Sequence, residues 1–461
     1  MTDIRGTLHA DDMTDMTDMS MSCVDYGLAV TAGRHKDRVE RRSYQRRGEM
    51  RSGARCGVLV AAVLAGAATA AGRTGGWVEV SEQTEIRDPF ASGITHPSVR
   101  YSHTSVVWKD MMVVTHGYQY NRLVKPSAPA WLHDTWAFSF TSKQWTMLND
   151  GKGTAPSPRY GHTAFVHGNT MYFFGGDDGD HVASPTNYRS KHYNDLWKFD
   201  LNAKSWSEVP KTDPWPPKRS LHAGAMVGAE YVIYGGLGLD DTWAFDLEKN
   251  TWRKFQQPPG SEGPGVRYAV SYAGTATHLY IFGGARSGGS PFDDLWAFEL
   301  AKGLWSSVSP EPKERAKQVV LKQWPPGRSY GSLLSAQNSD GRSYLGMFGG
   351  ANCSRGCSCK GDTWLYDPAT PEGKPKFELV RVDAEPITRY RQSTVEYQGR
   401  FYIFGGESYK PYMYHNSISE LTMGEESGAV GGASSMLRGA VSAAKKTLSP
   451  ESNGLVNLEE P

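Results

Sequence analysis

The chain repeats itself. An aromatic-rich segment closing on glycine recurs six times, ending at Gly117, Gly175, Gly235, Gly283, Gly349 and Gly405, at intervals of 58, 60, 48, 66 and 56 residues. A unit of this length cannot bury an apolar face alone and must stack against its neighbours, which excludes most architectures before any single residue is assigned a role. Each unit opens on an arginine: Arg100, Arg159, Arg219, Arg267, Arg328 or Arg389. Segments such as Met171 to Gly176 and Phe401 to Gly406 follow, then an Asp-x-Trp run such as Asp195-Leu196-Trp197 or Asp241-Thr242-Trp243, then a further Trp at 145, 206, 252 and 305. Four short runs per unit, bounded by Gly, Asn and Asp, predict a four-stranded antiparallel sheet.

Composition agrees. Gly is 51 of 461 residues, with 14 Trp and 23 Tyr and no Gly-X-Y period, a turn-rich and aromatic-rich profile that points to an all-β protein. Lys plus Arg is 50 and Asp plus Glu is 49, so a net charge of +1 excludes a strongly basic nucleic-acid binder, and no nucleic-acid partner is expected. Ten of the fourteen tryptophans fall on two repeat positions, where packing between sheets is the expected use.

The double glycine, the Asp-x-Trp strand and the following Trp, recurring together from about residue 76 to 421, resemble the kelch repeat, whose units are blades of a β-propeller. The resemblance implies an all-β, six-bladed kelch-type β-propeller. Two departures stand out: His116-Gly117 where other units have two glycines, and Phe377 where a fourth-strand Trp is due. The sixth unit stops after its third strand at Leu421, while Trp77-Val78-Glu79-Val80 matches Trp206-Ser207-Glu208-Val209. An N-terminal strand around Trp77 is therefore expected to complete the last blade, leaving no open sheet edge.

The ends read differently. Residues 1–49 lack apolar periodicity and are expected to be disordered. From Met50, Arg51 and Arg55 precede an apolar run from Gly57 to Ala68 and an Ala68-Thr69-Ala70 cleavage signature, so residues 50–71 read as a signal peptide. The propeller is expected over 72–423, and 424–461 reads as a disordered or weakly helical tail. A secreted or endomembrane protein follows, with no transmembrane segment after signal cleavage; if Met1 is the start and the leader is unused, the protein is cytoplasmic.

In a meander, the loops from second to third strand and from fourth strand to the next blade leave the same face. Those loops are the long ones here, including 118–133, 177–193, 309–327, 351–361 and 407–415. Functional variation collects on loops carried by a rigid scaffold, which selects that face for binding. The six arginines enter from it, and they read either as anion-binding groups or as scaffold bonds. His103, His162 and His222, three residues after their arginines, are the accompanying candidates. Cys353, Cys357 and Cys359 share one loop and suggest a local disulfide with one thiol left over; Asn352-Cys353-Ser354 is a glycosylation sequon.

Chemical motifs are sparse. Gly327-Arg328-Ser329-Tyr330-Gly331 fits G-x-S-x-G, but the serine opens a strand instead of a strand-to-helix elbow. No Walker loop or His-Glu-x-x-His occurs, and the Asp177, Asp178, Asp180 and His181 cluster reads as a solvated loop more readily than a calcium site. No metal and no cofactor is called for. The expected function is a binding module for a protein or glycan partner; the alternatives are an enzyme acting on a sugar or other small molecule in the channel mouth, and a cytosolic interaction scaffold.

Overall fold

The computed structural model describes residues 74–81, 93–120, 129–179, 191–287, 289–337, 343–354, 357–370, 376–382, 388–409 and 413–423. The expected leader, the extension before it, the tail, and Asp180 and His181 lie outside them.

Six antiparallel blades form, each with strands a to d running outward. Blade 1 is Thr104–Trp108, Met111–Tyr120, Pro129–Ser139 and Trp145–Asn149; blade 2 is Thr163–His167, Thr170–Phe174, Leu196–Asp200 and Ser205–Glu208. Blades 3 and 4 begin at Ala223–Val227 and Ser271–Gly274 and end at Thr251–Lys254 and Leu304–Ser307. Blade 5 runs from Ser332–Gln337 to Phe377–Leu379. Blade 6 contains Ser393–Tyr397, Arg400–Phe404, Ile418–Met423 and, as its fourth strand, Thr74–Ser81. The six a strands contact one another in cyclic order, which closes the ring.

The N-terminal strand does what the count of strands requires: Trp77 pairs with Leu421 and Val78 with Glu420, antiparallel. Outside it, Arg381–Val382, from the connection between blades 5 and 6, adds a short parallel pair with Thr74 and Gly75 that the repeat pattern does not announce.

The core lies between blades. In blades 1, 3, 4 and 6 the d-strand Trp covers the last b-strand aromatic of the preceding blade: Trp145 on Phe404 at 5.0 Å between ring centroids, Trp252 on Phe174 at 5.0 Å, Trp305 on Tyr234 at 4.6 Å and Trp77 on Phe348 at 5.0 Å. In blade 5 the smaller Phe377 is supplemented from the long connection that holds the helix Pro312–Val320. Trp324, 1% exposed, packs edge-on against Phe377 at 4.8 Å and donates its indole N–H to Asp293 O at 2.7 Å.

The first unit is offset by one residue from the sequence alignment. Arg100 Nη1 donates to His116 O just as Arg159 Nη1 donates to Gly175 O, so His116 occupies the first-glycine position and Gly117 the second. His116 takes the left-handed conformation there, φ +57° against +70° at Gly175. Thr115 therefore stands where Phe174 stands in blade 2, and the His116 ring packs on Phe173 at 4.6 Å and on Trp206 at 5.9 Å.

Candidate functional site

Two closed rings of backbone hydrogen bonds build the channel mouth on the long-loop face. In the first, the second glycine of each blade donates to the carbonyl of the next blade's arginine: Gly117 to Arg159, Gly176 to Arg219, Gly236 to Arg267, Gly284 to Arg328, Gly350 to Arg389, and Gly406 to Arg100 across the seam, at 2.9–3.1 Å. In the second, the residue two beyond each arginine donates to its counterpart one blade back: Gly161 to Ser102, Leu221 to Gly161, Ala269 to Leu221, Tyr330 to Ala269, Arg391 to Tyr330 and Ser102 to Arg391. All six have positive φ, from +48° to +66°. For five of them this left-handed backbone is intrinsically unfavourable, and the ring of bonds over-determines it.

The arginines themselves turn inward. All six are 0–2% exposed. Arg100 Nη1 and Nη2 donate to Asp134 Oδ1 and Oδ2 at 2.9 and 2.8 Å, and Arg328 pairs in the same way with Asp362 at 2.7 and 2.8 Å. The third-strand Trp donates to the same carboxylate, as Trp136 Nε1 to Asp134 at 2.6 Å and Trp364 Nε1 to Asp362 at 2.7 Å. Burial alone would raise the pKa of Asp134 and Asp362, but Arg100 and Arg328 hold both below the usual carboxylate range. Of the two uses read from the sequence, this geometry describes the scaffold one.

The histidines also bridge blades. His162 Nε2 bonds with Thr104 Oγ1 at 2.8 Å, His222 Nε2 with Thr163 Oγ1 at 2.7 Å, and His103 Nε2 with Ser393 Oγ at 2.6 Å. Gln392 makes the equivalent bond in blade 6, donating from Nε2 to Ser332 Oγ at 3.0 Å. Burial lowers the pKa of all three histidines far enough to keep them neutral. Among the described residues, no group of three or more His, Cys, Asp or Glu is placed to hold a metal ion.

The mouth is lined with aromatic rings, Tyr101 and Tyr390 buried and Tyr160, Tyr268 and Tyr330 half-buried. Tyr101, Tyr160, Tyr268 and Tyr390 each follow a blade arginine, a recurrent Arg-Tyr dipeptide legible in the sequence. Tyr101 packs edge-on against Tyr118 at 5.1 Å and stacks on Tyr414 at 5.7 Å. Among these rings lies Arg391, its guanidinium carbon 4.4 Å from the Tyr330 centroid, 5.3 Å from Tyr101 and 5.5 Å from Tyr390. Its Nη1 donates to Glu407 Oε1 at 3.0 Å, while its Nε finds no hydrogen-bond partner in the structure. Burial opposes the charge of Arg391, yet Tyr330 and Glu407 together raise its pKa well above the ordinary value. Tyr101 and Tyr160 are raised by burial first, then by the carboxylates of Glu407 and Asp177 respectively, so both stay protonated and able to donate.

Short hairpins rise beside this mouth. Ala351–Asn352 pairs with Ser358–Cys359, and Glu407–Ser408 with Met413–Tyr414. The first carries the Cys353–Cys357 disulfide, with Cys359 remaining a thiol, and Asn352 Oδ1 accepts from the Ser354 backbone N–H at 3.1 Å. The expected loop at 118–133 is strand at both ends, the b and c strands of blade 1 extending to Tyr120 and from Pro129, and its residues 121–128 lie outside the described residues. Asp177 and Asp178 are tied into their own loop, Asp177 Oδ1 accepting from Gly179 N at 2.6 Å and Asp178 Oδ2 from Tyr193 Oη at 2.7 Å.

Comparison with known proteins supports a kelch-repeat family. Residues 77–236 match the model of the KLHDC2/KLHL20/DRC7 Kelch-repeats domain. The chain is a kelch-repeat propeller. This kelch chain is similar to the Leucine-zipper-like transcriptional regulator 1 homolog of Drosophila melanogaster, 30% identical over 55% of this chain and 24% of that protein. It is similar to the N-(sulfonatooxy)prop-2-enimidothioate sulfolyase of Thlaspi arvense, 30% identical over 37% of this chain and 49% of that one, and to Kelch domain-containing protein 3 of Homo sapiens, 25% identical over 47% and 56%. The kelch chain thus spans about half or less of the length of these curated relatives. Among solved structures, YjhT superposes with a TM-score of 0.52 at 14% identity, covering 72% of this chain and 98% of that one, a likeness of fold.

Proposed function

We propose that this kelch propeller is a protein-binding module whose long-loop face takes its partner at the channel mouth. The observation that carries this reading is the cluster of tyrosines around Arg391. Tyrosine and arginine supply large, rigid contact area with a polar edge, the residue types that dominate protein interfaces. The unspent Nε–H of Arg391 and the protonated phenols add hydrogen-bonding groups suited to a peptide backbone or a carboxylate side chain. The partner is met in the secretory pathway: the leader-like segment at 50–71 supports this, and the Cys353–Cys357 disulfide fits an oxidising compartment.

A photo-reactive side chain placed at Tyr268 or Tyr330 is expected to cross-link a partner protein from secretory material, whereas the same group at Lys302, in a c-to-d turn on the opposite face, is not. Adducts only from Lys302 would overturn the assignment of the face. Compartment is checked separately: expression from Met50 in a eukaryotic cell is expected to deliver protein to the medium with an N-terminus near Ala71, and an intact cytosolic form would refute secretion without touching the binding face.

A further inference from the structure

Five blades hold the same three groups together. In blade 2, Arg159 Nη1 and Nη2 donate to Asp195 Oδ1 and Oδ2 at 2.6 and 3.0 Å, and Trp197 Nε1 donates to Asp195 Oδ2 at 2.8 Å. Blade 6 keeps the arginine and loses the other two. Ser417 stands where Asp195 does, and Ser419 where Trp197 does. Arg389 is nonetheless 2% exposed. Its Nη2 donates to Ser417 Oγ at 3.1 Å and Ser419 Oγ at 3.4 Å, its Nη1 reaches the carbonyls of Gly405 and Ser417 at 3.3 and 3.5 Å, and its Nε makes no hydrogen bond. These contacts are long beside the 2.6 Å of Arg159 to Asp195, and every acceptor is neutral.

A buried guanidinium without a counter-charge is costly, because it has given up water and gained no opposite charge. Among the described residues, no carboxylate hydrogen-bonds Arg389. Burial accordingly pulls its pKa down to about 10, with Glu79, an exposed residue of the closing strand, acting in the other direction. His415 beside it is held neutral, its pKa lowered to about 3 by burial and by the Arg389 charge, so it neither supplies nor competes for a negative charge. Two serines occupy less volume than a carboxylate and an indole, and their hydroxyls donate as well as accept.

We propose that Arg389, Ser417 and Ser419 bind a small monovalent inorganic anion of chloride size, which takes the place of the carboxylate that the other five blades carry on strand c. The anion sits against the Nη1 and Nη2 edge of the guanidinium, the edge that Asp195 takes on Arg159, with the two hydroxyls turned to donate to it. Its site lies inside the blade that the N-terminal strand completes, so the ion steadies the seam of the ring. This assignment is independent of the protein-binding reading.

The test is thermal melting of the full chain at constant ionic strength, exchanging gluconate for chloride. The wild-type Tm is expected to rise with the logarithm of chloride concentration. Ser417→Asp, which restores the missing carboxylate, is expected to melt higher than wild type in gluconate and to lose the chloride dependence. Ser417→Ala, which removes one donor and keeps the blade's shape, is expected to need more chloride for the same rise. A wild-type Tm indifferent to chloride overturns the proposal, as does a Ser417→Ala curve that superimposes on wild type. A third result would also overturn it: an Asp383→Asn or Glu385→Gln variant that melts far below wild type while chloride has no effect would show that the chain supplies its own counter-charge.

Discussion

The inner histidines make the fold sensitive to acid. His116 has its pKa lowered to about 3, and His103, His162, His222 and His415 are lowered in the same sense, all with burial as the largest cause. A histidine kept neutral in the folded state takes up a proton more readily when unfolded. Its contribution to stability is therefore complete above the unfolded pKa near 6.5 and is lost as pH falls toward the folded value, at up to about 1.4 kcal/mol per pH unit for each residue. Asp134 and Asp362, whose pKa values are lowered, add a further loss at the acid end, where their ion pairs must be protonated. Tm is expected to fall from pH 7 to pH 4, and a His222→Gln variant to flatten that decline. The substitution is tolerable because Gln392 already makes the same interblade bond in blade 6. A His222→Gln profile parallel to wild type would show that this ring does not carry the effect. The Arg-Asp-Trp groups behave differently. Arg219→Ala leaves Asp241 and Trp243 buried without their cation, and the expected loss is about 3–5 kcal/mol in chemical denaturation; a loss under about 1 kcal/mol would mean that water replaces the guanidinium.

Among the elements, the strand Thr74–Ser81 has the most to answer for. It is the sequence-distant fourth strand of blade 6, and Trp77 carries its packing, on Phe348 and through an indole N–H donated to Thr363 Oγ1 at 3.4 Å. Trp305 makes the same bond to Thr242 Oγ1 at 2.9 Å, whereas the indole N–H groups of Trp206 and Trp252 make none. Trp77→Ala is expected to cost roughly 3 kcal/mol, the lower end for a buried aromatic because this indole is only half-buried. Deleting residues 74–80 is expected to cause aggregation through the exposed edge of Ile418–Met423. Size-exclusion chromatography distinguishes the two, and a monomeric, fully folded deletion variant would refute the closure. This strand was legible from the sequence because strand counting needs only Trp77 and the truncated sixth unit. Trp324 was not: it lies in an irregular connection with no repeat position, and only three-dimensional packing shows that it makes up for Phe377. The exchange of His116 for a glycine was visible as a motif departure, but its true register depends on a left-handed backbone that spacing does not encode. The sites were less legible than the strands for a related reason. Repetition marks the arginines and histidines because the scaffold needs them in every blade, whereas Arg391 stands at a position filled by a different residue in each.

Across the whole molecule, the seam between blades 6 and 1 is bonded like every other junction, although its two sides are made of opposite ends of the propeller. Gly405 shows how tightly. Its φ is +68°, and a Cβ there would lie 2.6 Å from both Arg100 O and the His103 ring. Gly405→Ala is expected to separate the blades at the seam, lowering Tm by several degrees and admitting limited proteolysis between blades 6 and 1. Gly399→Ala, with φ +75° but nothing within 4 Å of the new methyl, isolates the backbone penalty alone. Equal losses in the two variants would show that contact at the seam contributes nothing.

The second backbone ring has a consequence for how such a surface can change. Its six members are Ser102, Gly161, Leu221, Ala269, Tyr330 and Arg391, no two alike, and the hydrogen bonds that close the ring run through main-chain N–H and C=O groups. The join asks nothing of side-chain chemistry. A mutation at one of the five places that already carry a side chain alters what the rim displays while the bonds that hold the rim stay as they were. Binding preference can then drift, or be engineered as a five-letter word written around the opening, without the loss of stability that usually accompanies exploration of a rigid site.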